Sequence, residues 1–242
     1  MENNQGNPKK TSRTEVRSMF DGIAPHYDFL NHFLSAGIDK CWRRKLIAMA
    51  SRHHPKRILD VATGTGDLAI AASKLRADKI TGIDISPAML SIGQQKLHRK
   101  GLDTAIELLL ADSESIPFPD HTFDLVMVAF GVRNFENLQK GLTEMHRVLT
   151  PGGHALILEF SRPQAFPVKQ LYRFYFTHIL PLLGKMISRH RNAYTYLPDT
   201  VMAFAEGNEF MKIMAGCGFS NINQRRLTFG IATIYEGEKS FL

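Results

Sequence analysis

The chain has 242 residues, and its 30 lysine and arginine residues against 23 aspartate and glutamate residues leave a net charge of +7. A composition of 44% hydrophobic and 22% charged residues excludes disordered and collagen-like classes and predicts one folded domain. The two cysteines, Cys41 and Cys217, form no CxxC pair, which argues against a disulfide scaffold or a zinc ribbon and favours a reducing compartment. The ten histidines include no HExxH motif, so we expect no metal site.

The sequence predicts a protein without a targeting or membrane-spanning segment. Residues 1–14 are polar and are predicted to form a disordered tail, followed by a single domain over 15–242. No signal peptide is evident, and no apolar run approaches the ~18–20 residues of a membrane span. The nearest candidate, 165–187, is interrupted by lysine, glutamine and arginine. We therefore expect a cytoplasmic protein.

Two amphipathic helices are predicted before the first strand. Apolar residues recur at helical spacing over residues 12–23 and again over 39–50. The residues between these helices are rich in aromatic and polar groups and include Tyr27 and Asp28. We expect the whole region, 15–50, to fold over the site as a helical lid.

Short apolar runs alternate with helical patterns from residue 57 onward. This alternation is typical of a parallel sheet that is covered by helices on both faces. The predicted strands are 57–62, 79–83, 106–110, 123–128 and 155–160, and the predicted helices are 67–75, 87–100 and 137–149. Ser86 followed by Pro87 is a favourable start for the second of these helices.

The C-terminal part of the chain departs from this alternation. Residues 162–216 are predicted to form a helical insertion that caps the site. Two strands, 221–227 and 230–236, are joined by a short turn, so they form a hairpin and the last strand runs antiparallel. The expected fold class is α/β: a Rossmann-like, doubly wound sheet of seven mainly parallel strands with an antiparallel C-terminal strand.

A glycine-rich turn joins the first strand to its helix. Gly64 and Gly66 supply the permissive dihedrals and the close backbone approach that a bound nucleotide requires. Asp84 ends the next strand, 18 residues after Gly66, where a carboxylate can accept from both hydroxyls of a ribose. With Ala69 as its third element, the same pattern also fits a dinucleotide site, or a tight turn without a ligand.

Two further carboxylates favour a cationic adenosine ligand over NAD. Asp60 lies four residues before Gly64, where it would repel a pyrophosphate and attract an amino group or a sulfonium. Asp112 follows the third strand, where it can accept from an adenine amino group or merely cap a turn. Asp60, Asp84 and Asp112 thus mark the carboxyl ends of successive strands, where ligands bind in open α/β sheets.

Three segments resemble one enzyme family. They read YDFLNHFLSAGIDKCW at 27–42, FGVRN at 130–134 and RVLTPGGHALILEFS at 147–161. On these residues the chain resembles a class I S-adenosylmethionine-dependent methyltransferase and, more narrowly, the ubiquinone/menaquinone biosynthesis C-methyltransferase family. Members of that family methylate a prenylated benzoquinol or demethylmenaquinol. Asp39 is one departure, because the family usually has histidine there, and Ala129 is another, because serine is frequent at that position.

The resemblance implies S-adenosylmethionine as the cofactor and a prenylated quinol as the substrate, with demethylmenaquinol favoured. It places cofactor contacts at Thr65 in the glycine turn, at Asp84 and at the pair formed by Asp112 and Ser113. Together with the residue-level reasoning, the expected cofactor-binding set is Asp60, Gly64, Thr65, Gly66, Asp84, Asp112 and Ser113.

Three residues are expected to serve the chemistry. A ring carbon becomes nucleophilic when a neighbouring phenol loses its proton, and a phenol has a pKa of about 10. We expect Arg133 to stabilise the developing phenolate as a fixed positive charge; the alternative is a structural ion pair. Asn134 is expected to orient the substrate oxygen or, alternatively, to cap the following helix. Asp28 is expected to relay the proton.

Four side chains are the predicted substrate contacts. Tyr27 lies in the lid, where it could instead pack against the sheet. His178, Tyr194 and Tyr196 lie in the helical insertion, where they would line the quinol pocket. For His178 the alternative is a hydrogen-bonded histidine in the core.

The insertion also predicts contact with a membrane. Residues 166–176 mix aromatic and basic side chains, as interfacial helices do, and the net charge of +7 would favour anionic lipid. A peripheral position on the inner face of the plasma membrane follows from this interpretation. The alternative is that the segment is only the cap of the site, with a solvated basic face.

Three rival functions remain open. An NAD-linked oxidoreductase is favoured only by the glycine pattern. An RNA or protein methyltransferase would require a basic stripe, whereas the charges are scattered, so we expect no nucleic-acid partner. An adenosine-binding regulatory module would bind S-adenosylmethionine without consuming it. A homodimer is compatible with the sequence.

Overall fold

The computed structural model describes residues 12–35, 37–175, 178 and 191–241. Most of the predicted tail, 1–11, lies outside these residues, and the first helix already begins at Arg13. Within the described parts of the chain, no helix is long and apolar enough to cross a lipid bilayer.

Helices precede, connect and follow the strands. The helices are α1 (Arg13–Leu34), α2 (Ile38–Ala50), α3 (Asp67–Ala72), α4 (Pro87–Lys100), α5 (Leu138–Val148), α6 (Val168–Phe174), α7 (Arg191–Ala203) and α8 (Asn208–Gly216). The strands are β1 (Arg57–Val61), β2 (Lys79–Asp84), β3 (Ile106–Leu110), β4 (Phe123–Ala129), β5 (Leu149–Phe160), β6 (Ser220–Leu227) and β7 (Ala232–Glu238).

The seven strands form one sheet in the order β3-β2-β1-β4-β5-β7-β6. The first five strands run parallel to one another, and β7 is antiparallel to both of its neighbours. The strand order reverses between β1 and β4, which is the switch point where open α/β sheets bind ligands. The fold class predicted from the sequence is confirmed.

Apolar side chains cover both faces of the sheet. On one face, α2, α3 and α4 pack buried residues such as Leu46 and Leu97 against the strands. On the other face, α5 and α8 do the same with Leu142 and Phe210. Because the central strands are buried on both faces, their sequences are nearly continuous apolar runs, which is the pattern that identified them.

Two strands have bounds that differ from the prediction by more than one residue. β5 begins at Leu149 rather than at residue 155, because Leu149 already pairs with Phe123 ahead of an irregularity in the ladder. β7 begins at Ala232 rather than at residue 230, because Thr228–Gly230 forms a tight 3-10 turn between the hairpin strands. In both cases glycine or proline near the strand end obscured the strand pattern.

The prediction of a linker between the two N-terminal helices is wrong, because α1 continues through Pro25. A proline inside a helix removes a hydrogen bond and is unfavourable by itself. Contacts on both sides of Pro25 hold α1 against the sheet. Asp21 accepts a hydrogen bond from Ser86 Oγ at 2.6 Å, and Asp28 accepts one from Thr65 Oγ1 at 2.6 Å. Asp28 therefore lies on a helix rather than in a loop.

Helix α4 approaches the glycine turn closely at Gly93. A Cβ atom on Gly93 would lie 2.7 Å from Leu108 Cδ1 and 3.2 Å from backbone atoms of Thr65. The first of these distances is shorter than a van der Waals contact allows, so Leu108 would have to move. The missing side chain of Gly93 thus lets α4 support the turn that forms the floor of the site.

We predict that Gly93→Ala lowers the free energy of unfolding by ~1–3 kcal/mol, the usual cost of overpacking. Helix propensity alone would give the opposite sign, because alanine is favoured over glycine by ~1 kcal/mol. Gly216→Ala is the matched control, since Gly216 ends α8 with open space around its Cβ position, and it should be neutral or slightly stabilising. Urea titrations measure both, and a Gly93→Ala variant as stable as the wild type would contradict the close packing.

Candidate functional site

A cleft opens at the carboxyl ends of β1, β2, β3 and β4. Its volume is about 680 Å³, including space that is open to solvent. The loops after the strands form one wall, and α1 forms the opposite wall. The lining residues include Arg13, Val16, Phe20 and Tyr27 from α1, and Gly64, Asp84, Asp112, Ser113, Ala129, Phe130, Asn134 and Phe135 from the strand ends.

The glycine turn has the conformation for which its sequence was singled out. Gly64 and Gly66 have positive φ angles of 57° and 80°, which glycine adopts without strain. The N–H of Gly64 donates to Asp84 Oδ2 at 2.8 Å, so the turn is fixed to the end of β2. A Cβ atom on Gly64 would lie 3.8 Å from Cε1 of Tyr27, which places that ring beside the turn. Gly66 immediately precedes α3.

Asp60 lies beneath the turn. Its side chain is 1% exposed, and its Oδ2 atom accepts hydrogen bonds from Thr63 Oγ1 at 2.6 Å and from the N–H of Ala69 at 3.0 Å. Burial raises the pKa of Asp60 to about 7, although both hydrogen bonds and the charge of Arg43 act to lower it. Asp60 therefore shapes the turn from behind and changes its charge near neutral pH.

Asp84 lines the cleft at the end of β2. Besides the bond from Gly64, its Oδ1 atom accepts from the N–H of Ser86 at 2.8 Å. Burial raises the pKa of Asp84, and the nearby charge of Asp21 raises it further. A carboxylate oxygen can accept two hydrogen bonds, so each oxygen of Asp84 keeps capacity for a ligand hydroxyl.

Asp112 and Ser113 line the cleft past the end of β3. Asp112 forms an ion pair with Arg13 on α1, and its Oδ1 atom accepts from the N–H of Glu114 at 2.9 Å. Arg13 also pairs with the buried Glu114 at 3.2 Å. The first turn of α1 thus places a guanidinium against the carboxylate that was predicted to hold an adenine amino group.

Thr65 and Asp28 take part in a hydrogen-bonded network where α1 contacts the glycine turn. Thr65 Oγ1 donates to Asp28 Oδ1 at 2.6 Å. The ammonium of Lys96 on α4 donates to Asp28 Oδ2 at 2.8 Å and to Thr65 Oγ1 at 3.0 Å, and it also binds Asp67. This network ties α1 to the glycine turn and to α4.

A buried carboxylate holds Arg133. Its Nη1 atom donates to Glu159 Oε1 at 2.7 Å and to the carbonyl of Phe130 at 2.6 Å. Glu159 is 0% exposed; burial raises its pKa, while the charge of Arg133 acts in the opposite direction. The guanidinium carbon also lies 5.4 Å from the ring centroid of Phe160. The structural ion pair that the sequence left open as an alternative is therefore present.

Asn134 links the cleft to the helical insertion. Its Oδ1 atom accepts a hydrogen bond from the hydroxyl of Tyr196 on α7 at 3.0 Å. Burial raises the pKa of Tyr196, so this hydroxyl stays protonated and can donate. The alternative role for Asn134, capping the next helix, is wrong, because Asn137 occupies the N-cap of α5 and accepts from the N–H of Lys140.

The remaining predicted substrate contacts lie in the insertion. His178 is exposed, and its ring stacks on Phe174 with centroids 4.9 Å apart, so it is not a core histidine. The side chain of Tyr194 lies outside the described residues. The structure thus brings Tyr27 and Asn134 to the cleft and places Tyr196 against Asn134, while His178 is exposed on the insertion.

Three charged residues that shape the site were missed at the sequence level. Arg13 fell within the predicted tail, and Lys96 is one of several basic residues on an ordinary amphipathic helix, so neither carried a signal. The sequence did contain a signal for Glu159. A carboxylate near the end of an apolar strand requires a cation, and Arg133 follows the neighbouring strand.

Solved structures of other proteins share this fold. The chain is similar to the [4+2]-cyclase SpnF, with a TM-score of 0.70 and 16% identity over 97% of this chain and 98% of that one. It is also similar to a SAM-dependent methyltransferase of Thermotoga maritima, described as a possible histamine N-methyltransferase, with a TM-score of 0.65 and 17% identity over 93% and 100%. The fold is that of Rossmann-like methyltransferases.

Sequence relatives narrow the class to one family. A profile of the ubiE/COQ5 methyltransferase family matches residues 8–239. The demethylmenaquinone methyltransferase of Bacteroides fragilis is 48% identical over 226 residues, 93% of this chain and 92% of that protein. The ubiquinone/menaquinone biosynthesis C-methyltransferase UbiE of Geotalea daltonii is 48% identical over 234 residues, 96% of this chain and 99% of that protein. The chain belongs to the ubiE/COQ5 methyltransferase family, as the resemblance predicted.

We predict a pH dependence of stability that arises from Asp60. Because its pKa is raised from 3.8 to about 7, the folded chain holds a proton that the unfolded chain has lost between these values. The free energy of unfolding should therefore fall as pH rises through this window, by up to ~1.4 kcal/mol per pH unit.

The variant Asp60→Asn keeps an acceptor for Thr63 and Ala69 but lacks this titration. Urea unfolding of both proteins at about pH 5, 6 and 7 isolates the contribution as a difference. The wild type should lose stability relative to Asp60→Asn with rising pH. A difference that stays constant across the three values would contradict the raised pKa.

Proposed function

We propose that the protein transfers the methyl group of S-adenosylmethionine to a ring carbon of a prenylated hydroquinol. Demethylmenaquinol is the preferred substrate, and a prenylated benzoquinol is the second candidate. One observation carries the proposal: a single cleft combines carboxylates suited to a nucleoside with an aromatic wall suited to a ring. Family membership supports methyl transfer, and the names of the relatives support a quinol as the acceptor.

The two strand-end carboxylates that line the cleft fit the ribose and the adenine of a nucleoside. Asp84 has acceptor capacity for two ribose hydroxyls, and Asp112 can accept from an adenine amino group once Arg13 has moved aside. Ala129, which also lines the cleft, offers no side-chain hydrogen bond. When bound, S-adenosylmethionine supplies an electrophilic methyl group on a sulfonium.

Aromatic residues form much of the remaining wall. Phe20, Tyr27, Phe130 and Phe135 line the cleft, and Phe20 and Tyr27 meet edge to face with ring centroids 6.0 Å apart. Such a wall binds a flat ring by apolar contact and excludes water from it. Asn134, which is positioned by Tyr196, can then hold an oxygen of the quinol through its amide.

The chain must lower the pKa of the phenol beside the reacting carbon. Arg133 adjoins the cleft residue Asn134 without lining the cleft itself, and its permanent positive charge would favour the phenolate at longer range. Glu159 fixes the guanidinium in place and is therefore a positioning residue. Asp28 remains the proposed proton relay, since it directly follows Tyr27, which lines the cleft. After methyl transfer the ring carbon carries both the methyl group and its hydrogen, and loss of that hydrogen as a proton restores the aromatic phenolate. The phenolate then takes up a proton again, so one proton is released for each methyl group transferred.

The direct test supplies the purified chain with isotopically labelled S-adenosylmethionine and a short-tailed demethylmenaquinol, and analyses the lipid extract by mass spectrometry. The expected product carries one labelled methyl group on the ring. The oxidised quinone is the matched control, because it has no phenolic proton to lose and should remain unmethylated. A prenylated benzoquinol in a parallel reaction measures the preference between the two rings.

The outcomes also separate the rival functions. A regulatory module would bind S-adenosylmethionine without forming product, and an oxidoreductase would respond to a nicotinamide cofactor instead. Label that appears in added RNA or protein, with none in the quinol, would replace the proposed substrate with a macromolecule. Absence of labelled lipid under reducing conditions would overturn the proposal.

We predict that the charge of Arg133 matters to turnover beyond its structural pairing. Removing the arginine alone would leave Glu159 buried without a partner, which costs about 3–5 kcal/mol in comparable pairs. The double variant Arg133→Gln/Glu159→Gln removes both charges and avoids that penalty. We expect it to fold and to bind S-adenosylmethionine normally but to lose ~100-fold in kcat, as for a lost transition-state donor.

The single variant Glu159→Gln is the matched control for charge, because it keeps the guanidinium of Arg133. It also leaves that side chain, which is 9% exposed, without its carboxylate, so its stability must be measured beside its turnover. It should retain most of the turnover that the double variant loses. Steady-state kinetics with a thermal-unfolding control compare the three proteins. Near-normal turnover by the double variant would reduce Arg133 to a structural role.

We further propose that the surface around α6 contacts an anionic bilayer, where a prenyl chain would dissolve. Phe166, Leu171 and Phe174 are 80%, 64% and 55% exposed, which is unusual for apolar side chains so close together in sequence. Lys169 and Arg173 are exposed on the same segment. Apolar side chains interleaved with basic ones are typical of helices that lie at a membrane surface.

We predict that Phe166→Ser/Leu171→Ser/Phe174→Ser lowers co-sedimentation with anionic vesicles by at least ~10-fold, because three apolar anchors are lost. Phe241→Ser is the matched control, since Phe241 is 79% exposed near the opposite end of the sheet. Both variants should methylate a short-tailed quinol at the wild-type rate. Equal sedimentation of all three proteins would mean that this segment is only a cap.

A further inference from the structure

Three side chains meet away from the cleft, on the face of the sheet that α2 covers. His53 ends the 3-10 turn Ser51–His53 that follows α2, His154 lies on β5, and Glu236 lies on β7. One ring nitrogen from each histidine and one carboxylate oxygen of Glu236 lie within 4.8 Å of one another. The strand pairing explains the proximity, because Glu236 is opposite Leu156, two residues from His154.

The three side chains are in close contact, but one buried ring nitrogen has no hydrogen-bond partner among the described residues. His53 Nε2 and Glu236 Oε1 are 2.6 Å apart, a hydrogen-bond distance. The two imidazole rings are stacked, with centroids 3.6 Å apart and an interplanar angle of 23°. The Nδ1 atom of His154 is buried and has no hydrogen-bond partner among the described residues. A buried polar atom without a partner is uncommon in native structures and calls for a specific explanation.

We propose that His53, His154 and Glu236 bind a divalent transition-metal ion, with Zn²⁺ as the best match. Two imidazole nitrogens and one carboxylate oxygen are a recurrent ligand set for zinc, whereas Mg²⁺ and Ca²⁺ prefer oxygen ligands alone. Tetrahedral bonds of about 2.0–2.1 Å place ligand atoms about 3.3 Å apart, so the two stacked rings would have to turn until their lone pairs converge on the ion. The ion would replace the proton between His53 and Glu236.

The charge states of the cluster suit a cation. The hydrogen bond from His53 is the main cause of a lowered pKa of Glu236, and the charge of Arg52 adds to it, so this carboxylate is ionised at neutral pH. Burial and the charge of His53 lower the pKa of His154, although Glu236 and Glu238 act against this. A neutral imidazole has a lone pair for a metal, so affinity should fall under acidic conditions, where the imidazoles become protonated.

This site is separate from the methyl-transfer cleft. His154 is in register with Leu125 on β4, four residues before the cleft residue Ala129, which corresponds to about 13 Å along the strand. An ion here would fasten the end of α2 to β5 and β7. His53 and Glu236 are 20% and 24% exposed, so water can fill the remaining position. The site would serve stability and not the chemistry of the cleft.

The inference departs from the expectation that the chain has no metal site. That expectation rested on the absence of closely spaced ligand motifs, and residues 53, 154 and 236 are each separated by more than eighty positions. A site that long-range strand pairing assembles leaves no such motif. Only the folded sheet brings the three ligands together.

The test titrates the chelator-treated, full-length chain with ZnCl₂ in competition with a chromogenic chelator. We expect one saturable site, a higher melting temperature with Zn²⁺ and no comparable rise with Mg²⁺. His154→Gln and Glu236→Gln should each weaken binding by at least ~10-fold and remove the thermal shift. His98→Gln is the matched control, because His98 is 86% exposed on α4 and should leave both readouts unchanged.

X-ray absorption at the zinc edge identifies the ligands independently. We expect a shell of nitrogen and oxygen atoms with scattering from two imidazoles, reduced to one imidazole in His154→Gln. Circular dichroism of the metal-free variants confirms that each has folded. Wild-type affinity in His154→Gln and Glu236→Gln, or no saturable zinc site in the wild type, would overturn the proposal.

Discussion

Carboxylates that lie buried or half-buried at the ends of neighbouring parallel strands need hydrogen-bond donors, and this requirement organises the cleft. Asp60 accepts hydrogen bonds from the glycine turn and from the helix that follows it. The same turn places the N–H of Gly64 where it donates to Asp84. Asp112, one strand further along, is instead paired with Arg13 at the start of α1. Each group that donates a hydrogen bond to one of these acids also holds a loop in position. The same contacts therefore determine both the charge distribution and the shape of the site.

Contacts between carboxylates and hydrogen-bond donors also hold helix α1 in place. From its start onward, Arg13, Asp21 and Asp28 bind the loops after β3, β2 and β1, respectively. These three anchors explain why the helix continues through Pro25, and they make α1 the outer wall of the cleft. If the proposed nucleoside takes the oxygen of Asp112 that Arg13 holds, its binding will be coupled to movement of the first turn of α1. During such a movement, the contacts of Asp28 with Thr65 and Lys96 can hold the later turns of α1 in place.

Sequence reasoning recovered the sheet, because strands buried on both faces are apolar runs of recognisable length. It also placed Asp84 and Asp112 at the cleft, because their positions at strand ends follow from the βα alternation, whereas Asp60 lies buried behind the glycine turn. It missed what depends on contacts distant in sequence. Helix continuity through Pro25, the pairing of Arg133 with Glu159 and the cluster around His154 all need partners that local patterns do not reveal. Asn134 was interpreted ambiguously until the structure gave the helix cap to Asn137.

A crystal structure of the chain with S-adenosylhomocysteine tests the central claim most directly, since that molecule retains the nucleoside and lacks only the methyl group. The account predicts ribose hydroxyls on Asp84 and the adenine amino group on Asp112, with the guanidinium of Arg13 released from that carboxylate. The homocysteine sulfur should lie toward the aromatic wall. A nucleoside bound elsewhere, with the contacts of Asp84 and Asp112 unchanged, would contradict the account.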